Sequence, residues 1–375
     1  MRIGFDAKRA YHNSTGLGNY SRTLMNGLMH FYPMHEYYGF NPVRNLNYSV
    51  GFNAKYIEVN PTSFLDKCLP SLWRSSRMKK EINELKIDVF HGLSNELPTG
   101  IEKCTSRNIV TIHDLIFEYY PEQYNASDVK IYRHKFKKAC DVAHEIIAIS
   151  EATKQDIIKL YGVDSSKITV CYQSCDDRFL NRFSEVEFQQ LNKRYSLPDQ
   201  YFISVGSIIE RKNLLKICSA FSKLENNNIG LVVVGQGSEY KQKVVDLIKK
   251  EGIEHQVIFL EDHFTSADIF RDLPLLYQRS IGLIYPSQME GFGIPIVEAF
   301  SSAIPVITSD CSSMQEIGQG AALLIDPSDE AQYIDAFQTI LGNDSDRKQL
   351  IQKGTEALDK FTTEQFVRSV MDVYL

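Results

Sequence analysis

Two glutamates, Glu290 and Glu298, flank a glycine-rich segment that also contains Pro295. Gly291 and Gly293 have no Cβ, so a ligand can come close to the backbone at both positions. Pro295 suits the first turn of a helix, where the free N–H groups favour an anion. A carboxylate does not bind phosphate, but it accepts hydrogen bonds from sugar hydroxyls. The segment therefore predicts a site for a sugar attached to a diphosphate.

The residues around this segment indicate which elements hold it. Residues 280–287 are mostly apolar and end in a turn, residues 299–301 continue a helix, and residues 305–308 are apolar again. A strand, a loop, a helix and a second strand form a βαβ unit, whose two strands are parallel. The same pattern also fits an ordinary strand-to-helix turn, so the functional interpretation depends on the other segments.

Two adjacent cations, Arg211 and Lys212, form a second candidate site. They follow an apolar strand at 201–205 and Gly206, and they precede Asn213, which we expect to cap a helix. Like charges repel, and the helix dipole is unfavourable to cations at this end. An anion resolves both conflicts, because Arg offers a planar fork and Lys a point charge to phosphate oxygens. The alternative is a solvated basic turn.

Histidines end two further apolar runs, at 88–91 and at 108–113. Ligands of open α/β sheets bind at the carboxyl ends of the strands, so a histidine there is well placed to meet a ligand. The sequence favours His113 as a ligand contact, although a structural role stays open for it. For His91 the structural role is favoured.

A glycine loop with Gly16 and Gly18 lies between an N-terminal strand and a helix. A dinucleotide fingerprint requires a third glycine, and Ser21 occupies that position. The turn after the strand at 229–234 likewise has Tyr240 in place of the third glycine. Both departures disfavour a dinucleotide-dependent oxidoreductase.

Length and composition indicate two globular α/β domains. The 375 residues suggest roughly two domains, and the alternation of apolar runs with helical patterns predicts doubly wound parallel sheets joined near residues 174–187. No apolar run reaches the ~18 residues of a membrane span. Seven cysteines, an odd number without metal-like spacing, favour reduced thiols and a cytoplasmic protein. Residues 1–185 carry 24 Lys and Arg against 21 Asp and Glu, which favours this half for an anionic surface or acceptor.

The motifs together resemble those of the retaining GT-B glycosyltransferases, in particular family 4, the mannosyltransferase-like group 1. The resemblance covers nearly the whole chain. It implies an α/β GT-B fold of two Rossmann-like doubly wound parallel-sheet domains facing a central cleft. The acceptor-side domain would span residues 1–180, the donor domain residues 181–361, and the terminal helix 362–375 would pack back on the first domain. Ala303 and Gly320 depart from the family pattern, but neither is a proposed ligand contact.

The resemblance also implies an activity and a set of roles. A hexosyl unit would pass from a nucleoside-diphosphate sugar to a hydroxyl of a glycan or lipid-linked acceptor, with retention and without a metal or cofactor. The catalytic residues would be His113, Glu290, Arg211 and Lys212. The donor-binding residues would be Gly16, Gly18, Gly206, Arg211, Lys212, Glu290, Gly291, Phe292, Gly293 and Glu298. Asp344 and Asp346 form the one Asp-x-Asp pair, and first-turn carboxylates explain them better than a metal site.

Other functions, and several partners, also fit the sequence. A catalytically silent nucleotide-sugar-binding protein and a GT-B sugar-nucleotide epimerase or phosphorylase stay open. The aromatic and basic residues 64–86 could lie on a membrane surface at its cytoplasmic face, although a helix with one buried and one solvated face is favoured. No nucleic-acid partner is expected. Family analogy alone suggests polysaccharide or lipopolysaccharide biosynthesis, and the base, the sugar and the acceptor are not identified.

Overall fold

The computed structural model describes residues 1–44, 55–225, 228–342 and 344–375. The chain divides into two compact units: unit 1 consists of Met1–Ser174 with Phe361–Leu375, and unit 2 consists of Cys175–Lys360. Each unit is built on one parallel sheet with helices between successive strands. The prediction of two doubly wound parallel-sheet α/β domains is therefore confirmed.

Unit 1 contains a seven-stranded sheet in the order β3-β2-β1-β4-β5-β6-β7. Its strands are β1 (Arg2–Asp6), β2 (Glu36–Phe40), β3 (Tyr56–Val59), β4 (Val89–Gly92), β5 (Arg107–Ile112), β6 (Glu145–Ala148) and β7 (Ile168–Val170). Its first helices are α1 (Lys8–His12), α2 (Gly16–Phe31), α3 (Phe64–Cys68), α4 (Pro70–Leu72), α5 (Lys79–Glu84), α6 (Ile116–Tyr119), α7 (Ala126–Val142) and α8 (Glu151–Tyr161). Shorter turns are the π-helix Trp73–Arg77 and the 3-10 helices Ile101–Lys103, Pro121–Gln123 and Ser165–Lys167.

Unit 2 contains a six-stranded sheet in the order β10-β9-β8-β11-β12-β13. Its strands are β8 (Gln200–Val205), β9 (Ile229–Val234), β10 (Val257–Phe259), β11 (Gly282–Tyr285), β12 (Val306–Ser309) and β13 (Leu323–Ile325). Its helices are α9 (Glu185–Tyr195), α10 (Leu214–Phe221), α11 (Glu239–Glu251), α12 (Ser266–Arg279), α13 (Ile294–Ser301), α14 (Ser312–Gly318), α15 (Glu330–Gly342) and α16 (Asp344–Ala357). Its 3-10 helices are Asp177–Leu180, Glu210–Lys212, Leu260–Asp262 and Leu358–Lys360. The last helix of the chain, α17 (Thr363–Tyr374), belongs to unit 1.

The strands form where the sequence has apolar runs, because both faces of each sheet are covered. All six residues of β9 are buried, and the ring of Phe202 on β8 lies 4.7 Å from that of Phe337 on α15. Burying one large apolar side chain stabilises a fold by about 1.5–3 kcal/mol. The sequence of a central strand such as β9 is therefore a continuous apolar segment, which is the pattern expected of parallel sheets.

Both sheets reverse their winding direction at one point. In unit 1, β2 and β3 are added on one side of β1, and the strands from β4 onward are added on its other side. In unit 2, β9 and β10 lie on one side of β8, and the strands from β11 onward lie on its other side. A crevice opens at such a switch point, outside the carboxyl ends of the two strands, and ligands bind there in open α/β sheets. Each unit therefore has one position where functional side chains are expected.

The segment 64–86 is helical but interrupted at Leu69 and Pro70. Helix α3 ends before Leu69, α4 begins at Pro70, and the π-helix at 73–77 leads into α5. Trp73 is fully buried in the core of unit 1. No helix within the described ranges is both long enough and apolar enough to cross a bilayer.

Helix α17 packs on unit 1 through close contacts. The Phe366 ring lies 5.3 Å from that of Tyr20. Gly27 leaves room for Val367, because a Cβ at position 27 would lie 2.5 Å from Val367 Cγ2. His91 Nδ1 lies 2.6 Å from the Tyr374 hydroxyl, and its Nε2 lies 2.8 Å from Thr111 Oγ1. Burial lowers the pKa of His91 to about 3, so the ring is neutral and structural.

Replacing Tyr374 by Phe should destabilise unit 1. The change leaves a ring nitrogen of His91 buried without its partner, which costs about 1–3 kcal/mol. Urea unfolding followed by circular dichroism measures the loss. Tyr132→Phe is the matched control, because the Tyr132 hydroxyl makes no hydrogen bond within the described residues. Equal stability of the two variants would contradict the structural role of the Tyr374–His91 contact.

Candidate active site

Two loops meet at the switch point of unit 2. The first follows β8 and runs from Gly206 to Asn213, and the second follows β11 and runs from Pro286 to Gly293. The backbone N–H of Gln288 donates a 2.8 Å hydrogen bond to the Arg211 carbonyl and so ties the loops together. Residues that are about 80 positions apart in the sequence are thereby brought into one cluster.

The centre of the cluster is Glu290 between two cations. Its Oε1 lies 2.8 Å from Arg211 Nη1 and 3.1 Å from Lys212 Nζ, and all three side chains are at most 18% exposed. Arg211 also donates to the Met289 carbonyl. Burial opposes ionisation of Glu290, but the charges of Lys212 and Arg211 outweigh it and lower the pKa of Glu290 to about 2. Burial likewise disfavours the charge on Lys212, yet the Glu290 carboxylate raises the pKa of Lys212 above its ordinary value. All three groups are therefore charged at neutral pH.

Lys212 is held by two further residues. Its Nζ donates a 3.0 Å hydrogen bond to the Tyr285 hydroxyl and lies 4.8 Å from the centroid of the Tyr285 ring, within cation–π range. Gly206 has a φ of +132°, and a Cβ there would lie 2.6 Å from Lys212 Nζ. Gly206 is thus required by the path of the Lys212 side chain. Sequence reasoning missed Tyr285, although its place at the carboxyl end of a buried strand could have indicated it.

Asn213 does not cap α10 in the predicted way. It adopts the left-handed conformation with a φ of +60°, and its side chain makes no capping hydrogen bond. Instead the amide donates to the carbonyls of Pro286, at 3.0 Å, and Pro327, at 3.2 Å. The residue fixes the loop after β8 to its neighbours; it holds the predicted N-cap position of α10, but its side chain does not make the expected capping hydrogen bond.

The glycine-rich segment fixes the backbone of Glu290. The Ser312 and Ser313 hydroxyls donate to the Glu290 carbonyl at 3.0 and 2.9 Å. Gly293 has a φ of +97°, a conformation that favours glycine, and it directly precedes α13. Phe292 between the two glycines is buried. The predicted turn into a helix with Pro295 in its first turn is confirmed.

Glu298 lies on α13 in a different environment. Its Oε2 accepts a 2.8 Å hydrogen bond from the Tyr277 hydroxyl of α12. Burial raises the pKa of Glu298 to about 7, although the Tyr277 hydrogen bond and the Lys212 charge act in the opposite direction. Glu298 thus lies on the helix that follows the glycine-rich segment, beyond Glu290 in the sequence, and the Lys212 charge has a minor effect on it. Sequence reasoning did not identify Tyr277 as its partner.

The remaining predicted residues lie in unit 1. His113 follows β5, and its Nε2 donates to the Leu93 carbonyl at 2.8 Å, while its backbone N–H donates to Asn95 Oδ1 at 2.7 Å. The Tyr20 ring meets the imidazole edge-on at 4.6 Å. Burial lowers the pKa of His113 to about 4, so the ring is neutral and Nδ1 can serve as an acceptor.

The predicted glycine loop around Gly16 and Gly18 is in fact the start of a helix. Helix α2 begins at Gly16, and the Gly18 N–H donates to the Thr15 carbonyl at 2.9 Å and to Asn13 Oδ1 at 3.1 Å. A Cβ at Gly18 would lie 1.9 Å from the Asn13 carbonyl oxygen. Close backbone packing therefore accounts for Gly18, and its contact with a donor stays a prediction. The loop prediction failed because glycines also begin helices.

Solved structures share this fold over the whole chain. The crystal structure of Anabaena Alr3699/HepE in complex with UDP-glucose matches with a TM-score of 0.74 and 15% sequence identity, covering 100% of this chain and 99% of that chain. Two parallel-sheet α/β units with a charged switch point define a protein of the GT-B fold class.

Sequence comparisons identify the family. Residues 31–179 match the family described as "Glycosyltransferase Family 4", and residues 187–357 match "Glycosyl transferases group 1". The chain belongs to these glycosyltransferases of group 1 and family 4.

Curated relatives have been named as mannosyltransferases. O-antigen chain mannosyltransferase RfbU of Salmonella typhimurium strain LT2 is 30% identical over 232 residues, which span 62% of this chain and 60% of that protein. O-antigen chain mannosyltransferase B of Escherichia coli is 25% identical over 300 residues, which span 78% of this chain and 75% of that protein.

The raised pKa of Glu298 predicts a pH-dependent stability. A carboxyl that binds its proton more tightly in the folded state contributes stability at low pH, and that contribution is lost as the pH rises through about 7. Glu298→Gln keeps an acceptor for Tyr277 but does not titrate. Between about pH 5 and pH 8 the wild type should lose on the order of 1–2 kcal/mol of unfolding free energy relative to the variant. Parallel pH profiles of the two proteins would refute the assignment.

Proposed function

We propose that the protein transfers a hexosyl unit, in particular a mannosyl unit, from a nucleoside-diphosphate sugar to a hydroxyl of a glycan or lipid-linked acceptor. The observation that carries the proposal is the buried Arg211–Glu290–Lys212 cluster at the switch point of unit 2. Two cations against one ionised carboxylate leave a positive excess, which suits a diphosphate. The names of the relatives support mannose, and the UDP-glucose complex of the Anabaena protein supports a nucleotide sugar.

Each residue of the site has a distinct role in this proposal. Arg211 and Lys212 stabilise the negative charge that develops on the leaving diphosphate, which is usually the largest single catalytic contribution. Glu290 holds both cations in place and accepts hydrogen bonds from the sugar hydroxyls. Glu298 accepts from the ribose hydroxyls, and the neutral His113 ring accepts from a hydroxyl of the donor sugar.

The proposed reaction proceeds with retention and without a metal. The bond between the anomeric carbon and the diphosphate oxygen breaks, and a bond to the acceptor oxygen forms on the same face of the sugar. A phosphate oxygen of the leaving diphosphate takes the acceptor proton. Arg211 and Lys212 supply the positive charge that a divalent cation would otherwise supply. In this scheme unit 2 provides the diphosphate contacts of Arg211 and Lys212, and unit 1 provides His113 and the acceptor contacts.

Lys212→Gln should reduce turnover by about 10²–10³-fold, because a preorganised donor to the leaving group is lost. The assay follows nucleoside-diphosphate release from GDP-, UDP- and dTDP-hexoses with extracted membrane glycolipids as acceptors. Lys249→Gln on the exposed side of α11 is the matched control. Far-UV circular dichroism verifies that each variant is folded.

Thermal-shift measurements with the same nucleotides identify the base and test the metal independence, since a ligand of the native state raises the melting temperature. EDTA should leave the shift unchanged. Turnover of Lys212→Gln at the wild-type rate, or a shift abolished by EDTA, would contradict the proposed mechanism. Stabilisation by NAD(P) alone would contradict the proposed function.

Unit 1 also offers a surface for a membrane-bound acceptor. We propose that α3 and α4 contact an anionic bilayer. Phe64 is 85% exposed, and Leu65, Leu69 and Leu72 are each more than 40% exposed. Lys67 and Lys80 lie exposed on the same segment. Polar contacts anchor α3 from its other side, because Arg77 Nε pairs with buried Asp66 at 2.7 Å. An exposed apolar surface flanked by lysines suits the interface of an anionic membrane.

Replacing Phe64 and Leu65 together by Ser should weaken binding to vesicles that contain phosphatidylglycerol. Each exposed apolar side chain adds affinity by entering the interface, so the double variant should lose at least about tenfold in vesicle affinity. Co-sedimentation with vesicles measures the binding. Val186→Ser removes a 61%-exposed valine from unit 2 and serves as control. Unchanged co-sedimentation of the double variant would refute the contact.

A further inference from the structure

A second charged cluster lies at the switch point of unit 1. Asp6 ends β1, Lys8 and Arg9 follow it in α1, Glu96 follows β4, and Arg74 lies in the π-helix. Arg74 Nη2 lies 2.7 Å from Asp6 Oδ2, and Arg74 Nη1 lies 3.3 Å from Glu96 Oε2. The Arg74 and Asp6 side chains are 13% and 4% exposed, so the pair is buried. The cluster thus occupies the position where open α/β sheets bind ligands.

The cations outnumber the carboxylates in this cluster. Lys135 Nζ also lies 3.3 Å from Glu96 Oε2, so Arg74 and Lys135 already engage both carboxylates. Lys8 and Arg9 add two further positive charges. Within the described residues, neither the Lys8 ammonium nor the Arg9 guanidinium has a hydrogen-bond or ion-pair partner, and Arg9 Nε is buried.

Such an arrangement is unfavourable until an anion is present. A buried donor without a partner loses its water without compensation. Burial, together with the charges of Arg74 and Arg9, lowers the pKa of Lys8, although Asp6 and Glu96 act in the opposite direction. A bound anion would supply the missing partner of Arg9 Nε and a further counter-charge for Lys8.

We propose that Lys8 and Arg9 bind a phosphate group, with Arg74 fixed behind them by its two carboxylates. The proposal rests on the proposed function and names a further substrate contact for it. Arg and Lys side by side are suited to phosphate oxygens, which accept both a planar fork and a point charge. The Arg9 charge acts on His113, since it contributes to the lowered pKa of that ring after burial. The phosphate comes either from the donor diphosphate or from a phosphorylated acceptor.

Calorimetric titration with inorganic pyrophosphate tests the site in the full chain. The measurement uses Lys212→Gln protein, in which the cluster of unit 2 is weakened. In that background, Lys8→Gln or Arg9→Gln should each weaken pyrophosphate binding by at least about tenfold, as expected for one lost charge-assisted contact. Lys103→Gln, at an exposed position of the same unit, should have no effect. Arg9→Lys should restore part of the affinity, which a purely structural role would not predict.

A second titration, with nucleoside diphosphates and Lys212 intact, distinguishes the two sources. Weaker binding to Lys8→Gln and Arg9→Gln assigns the site to the donor diphosphate. Unchanged nucleotide binding, together with weaker pyrophosphate binding in the first titration, assigns it to a phosphate of the acceptor. Equal pyrophosphate affinity of all variants would overturn the proposal. That outcome is independent of the proposed function, which fails instead if the wild type binds no nucleotide sugar.

Variant stability provides a control on folding. Lys8 and Arg9 have no partner within the described residues, so removing either charge should leave the melting temperature equal or higher. A lower melting temperature would mean that these side chains support the fold, and it would contradict the unpartnered state on which the proposal is based.

Discussion

The ion cluster around Glu290 is the constraint on which the rest of unit 2 depends. Two buried cations are stable only with a counter-charge, and removing one partner of such a cluster costs more than the cluster itself contributes. Several otherwise unrelated features serve to hold it: the missing side chain at Gly206, the Tyr285 hydroxyl, and the hydrogen bond from Gln288 to the Arg211 carbonyl. The cluster therefore explains residue choices in two loops and at the end of one strand.

The switch points of the two units carry different sets of charged side chains. Both sheets reverse at a switch point, and both place a cluster of cations and carboxylates there. In unit 2, one carboxylate balances two cations. In unit 1, two carboxylates are engaged by Arg74 and Lys135, and Lys8 and Arg9 remain as excess charge. Because the fold supplies the crevice and the side chains supply the chemistry, one architecture places differently charged clusters at its two switch points.

The sequence predicted the sheets and singled out the residues of the unit 2 cluster, because both leave local signals. Apolar runs identify covered strands, and adjacent cations such as Arg211 and Lys212 suggest an anion. The failures at Gly18 and Asn213 have different causes: glycine also occurs at a helix start where backbones pack closely, and Asn213 adopts the left-handed conformation of a structural turn. The bond from Arg74 to Asp6 could not be predicted, because it joins residues 68 positions apart and depends on the order of the strands.

The two glutamates of the glycine-rich segment are chemically different, and the difference determines the charge of the site. Both lose water on burial, which disfavours ionisation of each. Glu290 is ionised because Lys212 and Arg211 contact it directly, whereas among the described residues the neutral Tyr277 hydroxyl is the one direct partner of Glu298. If Glu298 were fully ionised as well, two carboxylates would cancel the two cations and the attraction for a diphosphate would vanish. Burial of Glu298 thus favours its neutral form, and the two cations keep an excess of positive charge over the ionised carboxylate.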